Sequence, residues 1–192
     1  MSDHGFHVHG PHDHEIEHAV QHNTKSASSG VIAVATAILA TVGALFSYMG
    51  GATQADAGLY KNDAAIKKTE ASNQWNYYQA KSNKQNLAEL AVVLAPPDKQ
   101  NGYREEVARY KLEKAEIKLA AEKLEAEATN WDQRSGAQMH LHHRWAQATT
   151  TLQIAIALAA MALLTGRRWL ERGMYSVAVL GVLLGAAATL HI

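Results

Sequence analysis

The chain has 192 residues, 18 basic and 18 acidic side chains, 11 histidines and no cysteine. The lack of cysteine excludes a disulfide framework, a thiolate nucleophile and a thiolate metal site. Balanced charge with no basic cluster argues against a nucleic-acid partner, which needs a basic face. Proline is confined to Pro11, Pro96 and Pro97. Long stretches therefore carry no helix breaker.

Residues 1–28 form a polar, His-rich tail. It has no basic n-region leading directly into an apolar run, so it does not read as a signal peptide. His4, His7, His9, His12, His14, His18 and His22 are interspersed with Asp13, Glu15 and Glu17. Imidazole with carboxylate suits zinc, nickel or copper, although this spacing matches no closed structural site. A solvated polar tail is the simpler reading. Metal binding is the alternative.

The first apolar run, Val31–Met49, carries no charge and is long enough for a hydrocarbon core of about 30 Å. It predicts a transmembrane helix over 29–50. A second run, Thr149–Leu164, reaches back uncharged to Trp145, and a third covers Tyr175–Leu190. They predict transmembrane helices over 149–165 and 174–192. Gly43, Ser47 and Gly51 lie four apart, as do Gly181 and Gly185. Such small-residue rows let helices approach closely in lipid. No charged residue sits at the centre of a span, which counts against an ion-coupled transporter. Thr36, Thr41 and Ser47 remain candidates for lining a pore.

The predicted loop at 166–173 carries Arg167, Arg168 and Arg172 beside Trp169. Short arginine-rich loops stay cytoplasmic. That rule puts the N-terminus inside and the segment between spans one and two outside; Lys61, Lys67, Lys68, Arg134 and Arg144 on the other side keep the reversed topology as the alternative.

Residues 51–148 form a charged segment whose one strong breaker is Pro96-Pro97. A turn over 96–102 would divide it into equal arms, 51–95 and 103–147, each roughly 65 Å long if helical. The expected fold class is an all-α membrane protein: three transmembrane helices, with a long antiparallel helical hairpin between spans one and two. On the returning arm Tyr103, Val107, Tyr110, Lys114, Ile117, Ala121, Leu124, Ala128 and Trp131 alternate spacings of four and three, and Ser135, Gln138, His142 and Trp145 continue them. This is coiled-coil spacing. On the outgoing arm Leu59, Ile66, Asn73, Ala80, Leu87 and Leu94 recur every seven residues and predict its seam. Trp75, Tyr77 and Tyr78, with Tyr103, Tyr110 and Trp131, are too many aromatics for one narrow seam. They are candidates for intrachain packing or for contact with another subunit or partner. A thin two-helix arm has a poor core for its length, so a homo-oligomer is expected.

His140, His142 and His143 precede the second span beside Arg144 and Trp145. Interface anchoring is the simpler reading, with metal binding the alternative. A Gly-rich phosphate loop, an HExxH motif and a serine elbow are all missing from the sequence, so no enzyme is expected.

Lys61-Asn-Asp-Ala-Ala65 and Asn73-Gln-Trp-Asn-Tyr-Tyr-Gln-Ala-Lys-Ser82, with the order of one span, hairpin and two spans, resemble a bacterial family of small membrane proteins known as domain of unknown function 4337. The resemblance covers most of the chain beyond Thr24. It implies the same architecture in a bacterial inner membrane and supplies no activity, cofactor or catalytic residue. The expected function is a structural or interaction role in a homo-oligomeric helical assembly within membrane lipid, with an unidentified protein partner as a further option. An oligomeric pore is the alternative, and a metal-binding membrane protein the lesser one.

Overall fold

A computed structural model describes the backbone of residues 13–190 and the side chains of residues 29–190. The described residues are helical from end to end: α1 spans Asp13–Leu94, α2 Pro97–Thr165 and α3 Arg168–Thr189. Each helix contains a stretch long and apolar enough to cross a membrane, judged by length and composition. His4, His7, His9 and His12 lie outside the described residues. His14, His18 and His22 fall within α1, but their side chains lie outside the described set.

Both breaks between helices are shorter than the sequence predicts. Only Ala95 and Pro96 separate α1 from α2, against the expected turn over 96–102. Pro97 opens α2, where its fixed φ suits a helix and its missing N–H loses no bond. Asp98 in the first turn complements the exposed amides there. The backbone amide of Lys99 bonds the Pro96 carbonyl at 3.0 Å, and Gln100 Nε2 bonds that of Ala95 at 3.1 Å. Between α2 and α3 only Gly166 and Arg167 are non-helical, against the expected loop over 166–173. Gly166 has φ +64°, the left-handed conformation that ends a helix, and its amide reaches the Ala162 carbonyl at 2.8 Å. Arg168, Trp169 and Arg172 therefore stand on α3. Arg167, Arg168 and Arg172 are all exposed.

The chain divides into two compact units. Among the described residues, one holds those up to Gly50 and from His143 onward, and the other is Gly51–His142. The first, apolar unit packs parts of all three helices. Ile32, Ala159, Ala162, Leu170 and Met174 form one core cluster, and Leu39, Leu152, Ala155 and Ala178 a second. Leu152 and Met174 are fully buried. The Phe46 and Trp145 rings meet at 5.3 Å between centroids.

The small residues singled out in the spans divide into two groups. Gly43, Gly181 and Gly185 are buried in the packed faces, whereas Ser47 and Gly51 are exposed. A Cβ on Gly181 would stand 2.7 Å from Leu152 Cδ2 and 3.3 Å from the Leu152 backbone nitrogen. A Cβ on Gly185 would run into the Phe46 ring. At Gly43 it would make ordinary contacts of 3.8–3.9 Å. Thr36 and Thr41 donate their hydroxyls to the Ile32 and Ala37 carbonyls of their own helix, at 2.8 and 3.0 Å. Back-bonding of this kind lets a hydroxyl sit in lipid without a pore to face.

The close approach at Gly181 gives a direct test. Gly181→Val should destabilise the protein by about 1–3 kcal/mol through overpacking against Leu152. Gly30→Val, where nothing lies within 4 Å, carries the same change in helix propensity without the clash. Thermal unfolding of the detergent-solubilised protein, followed by circular dichroism, should show a lower midpoint for Gly181→Val than for Gly30→Val. Equal midpoints would contradict the close packing.

Candidate functional site

The second, polar unit holds most of the polar and aromatic residues that could carry a function. Its geometry starts from which face each helix buries. On α2 every member of the predicted four-three track from Tyr103 to His142 is partly or fully buried. Ile117, Ala121, Ala128 and Ser135 are its most enclosed positions.

The outgoing arm is different, and the predicted seam is corrected. Leu59, Ile66, Asn73, Ala80, Leu87 and Leu94 are all exposed. The buried track runs instead through Thr53, Ala57, Tyr60, Ala64, Lys67, Ala71, Gln74, Tyr78, Lys81, Gln85, Ala88 and Val92. It alternates spacings of four and three just as strictly. Ala57, Ala64, Ala71 and Ala88 are at most 7 % exposed. Alanine takes little room and lets two helices come near the close end of the usual separation, about 8 Å. Ser135 reports that approach directly: its hydroxyl donates to the backbone carbonyl of Ala57 at 2.8 Å.

Contacts between α1 and α2 follow one order. Lys61 pairs with Asp132 at 2.5 Å, Lys67 with Glu127 at 3.6 Å, and Lys81 with Glu113 at 2.5 Å. Trp75 Nε1 donates to Glu125 Oε1 at 2.9 Å, and Lys114 Nζ to Gln85 Oε1 at 3.3 Å. Residue numbers fall on α2 as they rise on α1. Close backbones at the alanine positions leave room beside them for long polar side chains to cross.

The aromatic candidates lie mostly within this network. Tyr60 stacks on Trp131 at 5.5 Å, and Trp75 meets Tyr78 edge-on at 5.7 Å. Lys114 sits 4.8 Å from the Tyr78 ring centre. Lys81 lies 5.3 Å from Tyr77 and 5.4 Å from Tyr110, so its charge faces two π clouds. Tyr103 is partly buried on the α2 track. Tyr77, by contrast, remains half exposed.

An open groove of about 780 Å³ runs beside the seam, lined by Lys61, Lys68, Trp75, Asn76, Glu125 and Asp132 among others. Lys61 and Trp75 already bind Asp132 and Glu125 across it. Lys61 neutralises Asp132, and the Trp75 N–H occupies one Glu125 oxygen. The wall is polar, and these two contacts across it join α1 to α2. His140 and His143 are exposed and His142 is partly buried. Among the described residues no set of three or more histidine, aspartate or glutamate side chains converges to hold a metal ion.

The seam charges shift in the directions their partners dictate. The Lys81 ammonium holds the Glu113 carboxyl below its ordinary value, and Glu113 with Tyr77 holds Lys81 above its own. Lys67 is likewise raised, first by Glu70 beside it and then by Glu127 across the seam. A depressed carboxylate adds stability that is present above its unfolded value of 4.5 and lost as pH falls through the lower folded value. A raised lysine adds stability that is present below 10.5 and lost as pH rises through the higher folded value. The Lys81–Glu113 pair should thus hold a constant contribution between those limits. Denaturant midpoints of the solubilised protein should fall on acidification below pH 4.5, and Glu113→Gln should flatten part of that fall. An unchanged acid limb in Glu113→Gln would contradict a structural role for the pair.

No curated protein and no solved structure matches the chain. A family model described as "Domain of unknown function (DUF4337)" matches residues 28–191. That match covers the apolar unit from its first described side chains and the whole polar unit, so the chain belongs to the DUF4337 family.

Proposed function

We propose that the chain is a structural membrane protein whose three spans root an antiparallel helical hairpin, and that copies assemble through these hairpins into a homo-oligomer. The order of contacts from Lys61–Asp132 to Lys81–Glu113 carries this reading. It supports two opposed arms joined at Ala95-Pro96. Lys61, Lys67 and Lys81 pair with acids across the arms, and Trp75 and Trp131 also meet the opposite arm, which suits a rod that sets distance more than a site that turns over substrate. The arginines at 167, 168 and 172 favour a cytoplasmic N-terminus and an outward-facing hairpin.

The test is the particle held in a nanodisc. Its mass by native mass spectrometry should be a multiple of the 20.9 kDa chain, and reconstituted protein should pass no current in planar bilayers. A monomer would overturn the assembly. Steady single-channel conductance would overturn the scaffold in favour of a pore.

A further inference from the structure

The face of α1 that sequence patterning first suggested as a seam is unoccupied within the chain, and its chemistry is specific. Count Leu59 as the first position of a seven-residue repeat. The buried seam then occupies the second and sixth positions. The fourth position lies about 180° away and the first and seventh flank it at about 120°, with Ala65, Ser72 and Asn76 of these columns also bordering the open groove beside α2. From Gly58 to Leu94 every residue in those three columns is exposed, and none is charged. The central column reads Asn62, Thr69, Asn76, Asn83 and Leu90. The first column reads Leu59, Ile66, Asn73, Ala80, Leu87 and Leu94. The charges nearest this strip stand along its two edges, Lys61, Lys68 and Glu89 on one and Asp63, Glu70 and Lys84 on the other.

A helix face that only met water would have no reason to exclude charge over five heptads. Its neighbour α2 does not: Lys111, Glu116, Lys118 and Glu122 are all exposed on that helix. Leu59, Leu87, Leu94 and Val93 are each more than 60 % exposed. An apolar partner such as lipid would not be matched by a central column of asparagines. A charged partner would not be matched by a strip without charge.

We propose that this strip binds the same strip of a second copy, with the two α1 arms parallel and in register. The proposal rests on the assembly reading above and names its surface. Copies inserted the same way in one membrane meet side by side, related by an axis along the membrane normal, so like arms run parallel. In a parallel in-register pair each residue faces its own counterpart. A charged column would then repel itself. Asparagine and glutamine carry both donor and acceptor and pair with their own copies. Asn73, midway along the leucine column, would pin the register, as a single asparagine does in parallel coiled coils. The strip is about 50 Å long and about 10 Å wide, which gives on the order of 1,000 Å² buried over both copies, the lower bound for a specific interface. Shared confinement to a membrane raises effective concentration and makes an interface of that size sufficient.

The natural absence of cysteine makes the test clean. Single cysteines are placed at Ile66 and Leu87 on the strip, and at Leu112 and Leu119 as exposed apolar controls on α2. Each full-length variant is oxidised in native membranes, and covalent dimer is read on a non-reducing gel. All four positions are exposed, so folding should be unaffected, and helical content by circular dichroism checks this. Dimer should form at Ile66 and Leu87 at least tenfold faster than at Leu112 and Leu119. Ile66→Glu with Leu87→Glu should reduce the native mass of the otherwise helical particle. Oligomers that cross-link preferentially at Leu112 and Leu119, or that survive the double glutamate variant, would overturn this surface while leaving the assembly intact. A native mass of one chain for the unmodified protein would overturn both.

Discussion

Close contact between two small-residue columns governs the polar unit. Ala57, Ala64 and Ala71 on α1 and Ala121, Ala128 and Ser135 on α2 are all nearly or fully enclosed. In a two-helix element that enclosure requires backbones near enough for Ser135 to reach the Ala57 carbonyl. Leucine in either column would force the helices apart. Several other features follow from that spacing. The ion pairs form because lysine and glutamate flanking an alanine column can span the narrow gap. The aromatic residues of the Asn73–Ser82 stretch lie beside the gap, where Trp75 and Tyr78 meet each other and Glu125 or Lys114.

The same choice explains why large apolar residues remain outside. Alanine buries little area, so the unit draws less hydrophobic stabilisation from its seam than a leucine-lined coil would, at roughly 25 cal/mol per Å² of apolar surface. Leu59, Ile66, Leu87 and Leu94 stay exposed away from the seam, where the proposed contact between copies would use them. The apolar unit uses small residues in a similar way. Gly181 and Gly185 admit Leu152 and Phe46 against α3. In lipid, where apolar burial gives little drive, close packing of this kind is the main source of helix association.

The sequence conveyed the parts of the structure whose physics is local. Uncharged runs of spanning length and the lack of proline over long stretches were sufficient for the helices. The α2 seam was readable because Tyr103, Val107, Ile117 and Leu124 put apolar groups on the buried face. The α1 seam was not, because hydrophobicity there points away from the partner helix: lysine, glutamine and tyrosine are inside and leucine is outside. The signal that could have found it was the alanine repeat at 57, 64 and 71, set against the matching repeat at 121 and 128. The first turn reads too long in the sequence because Pro97 and Gly102 look like breakers, yet proline is at home in a first helical turn and an exposed helical glycine costs only about 1 kcal/mol. Pairing of aromatic with charged groups depends on the register of two helices, which no single stretch of sequence encodes.

The most direct test concerns which column of α1 faces α2. Ala57→Cys with Ser135→Cys is compared with Leu59→Cys with Ser135→Cys, each in the full chain, by the rate of intrachain disulfide formation under mild oxidation. Disulfides need Cα atoms within about 7 Å. The 57–135 pair should close rapidly and nearly completely, and the 59–135 pair should stay reduced. Rapid closure of 59–135 with none at 57–135 would contradict the alanine seam and everything built on it.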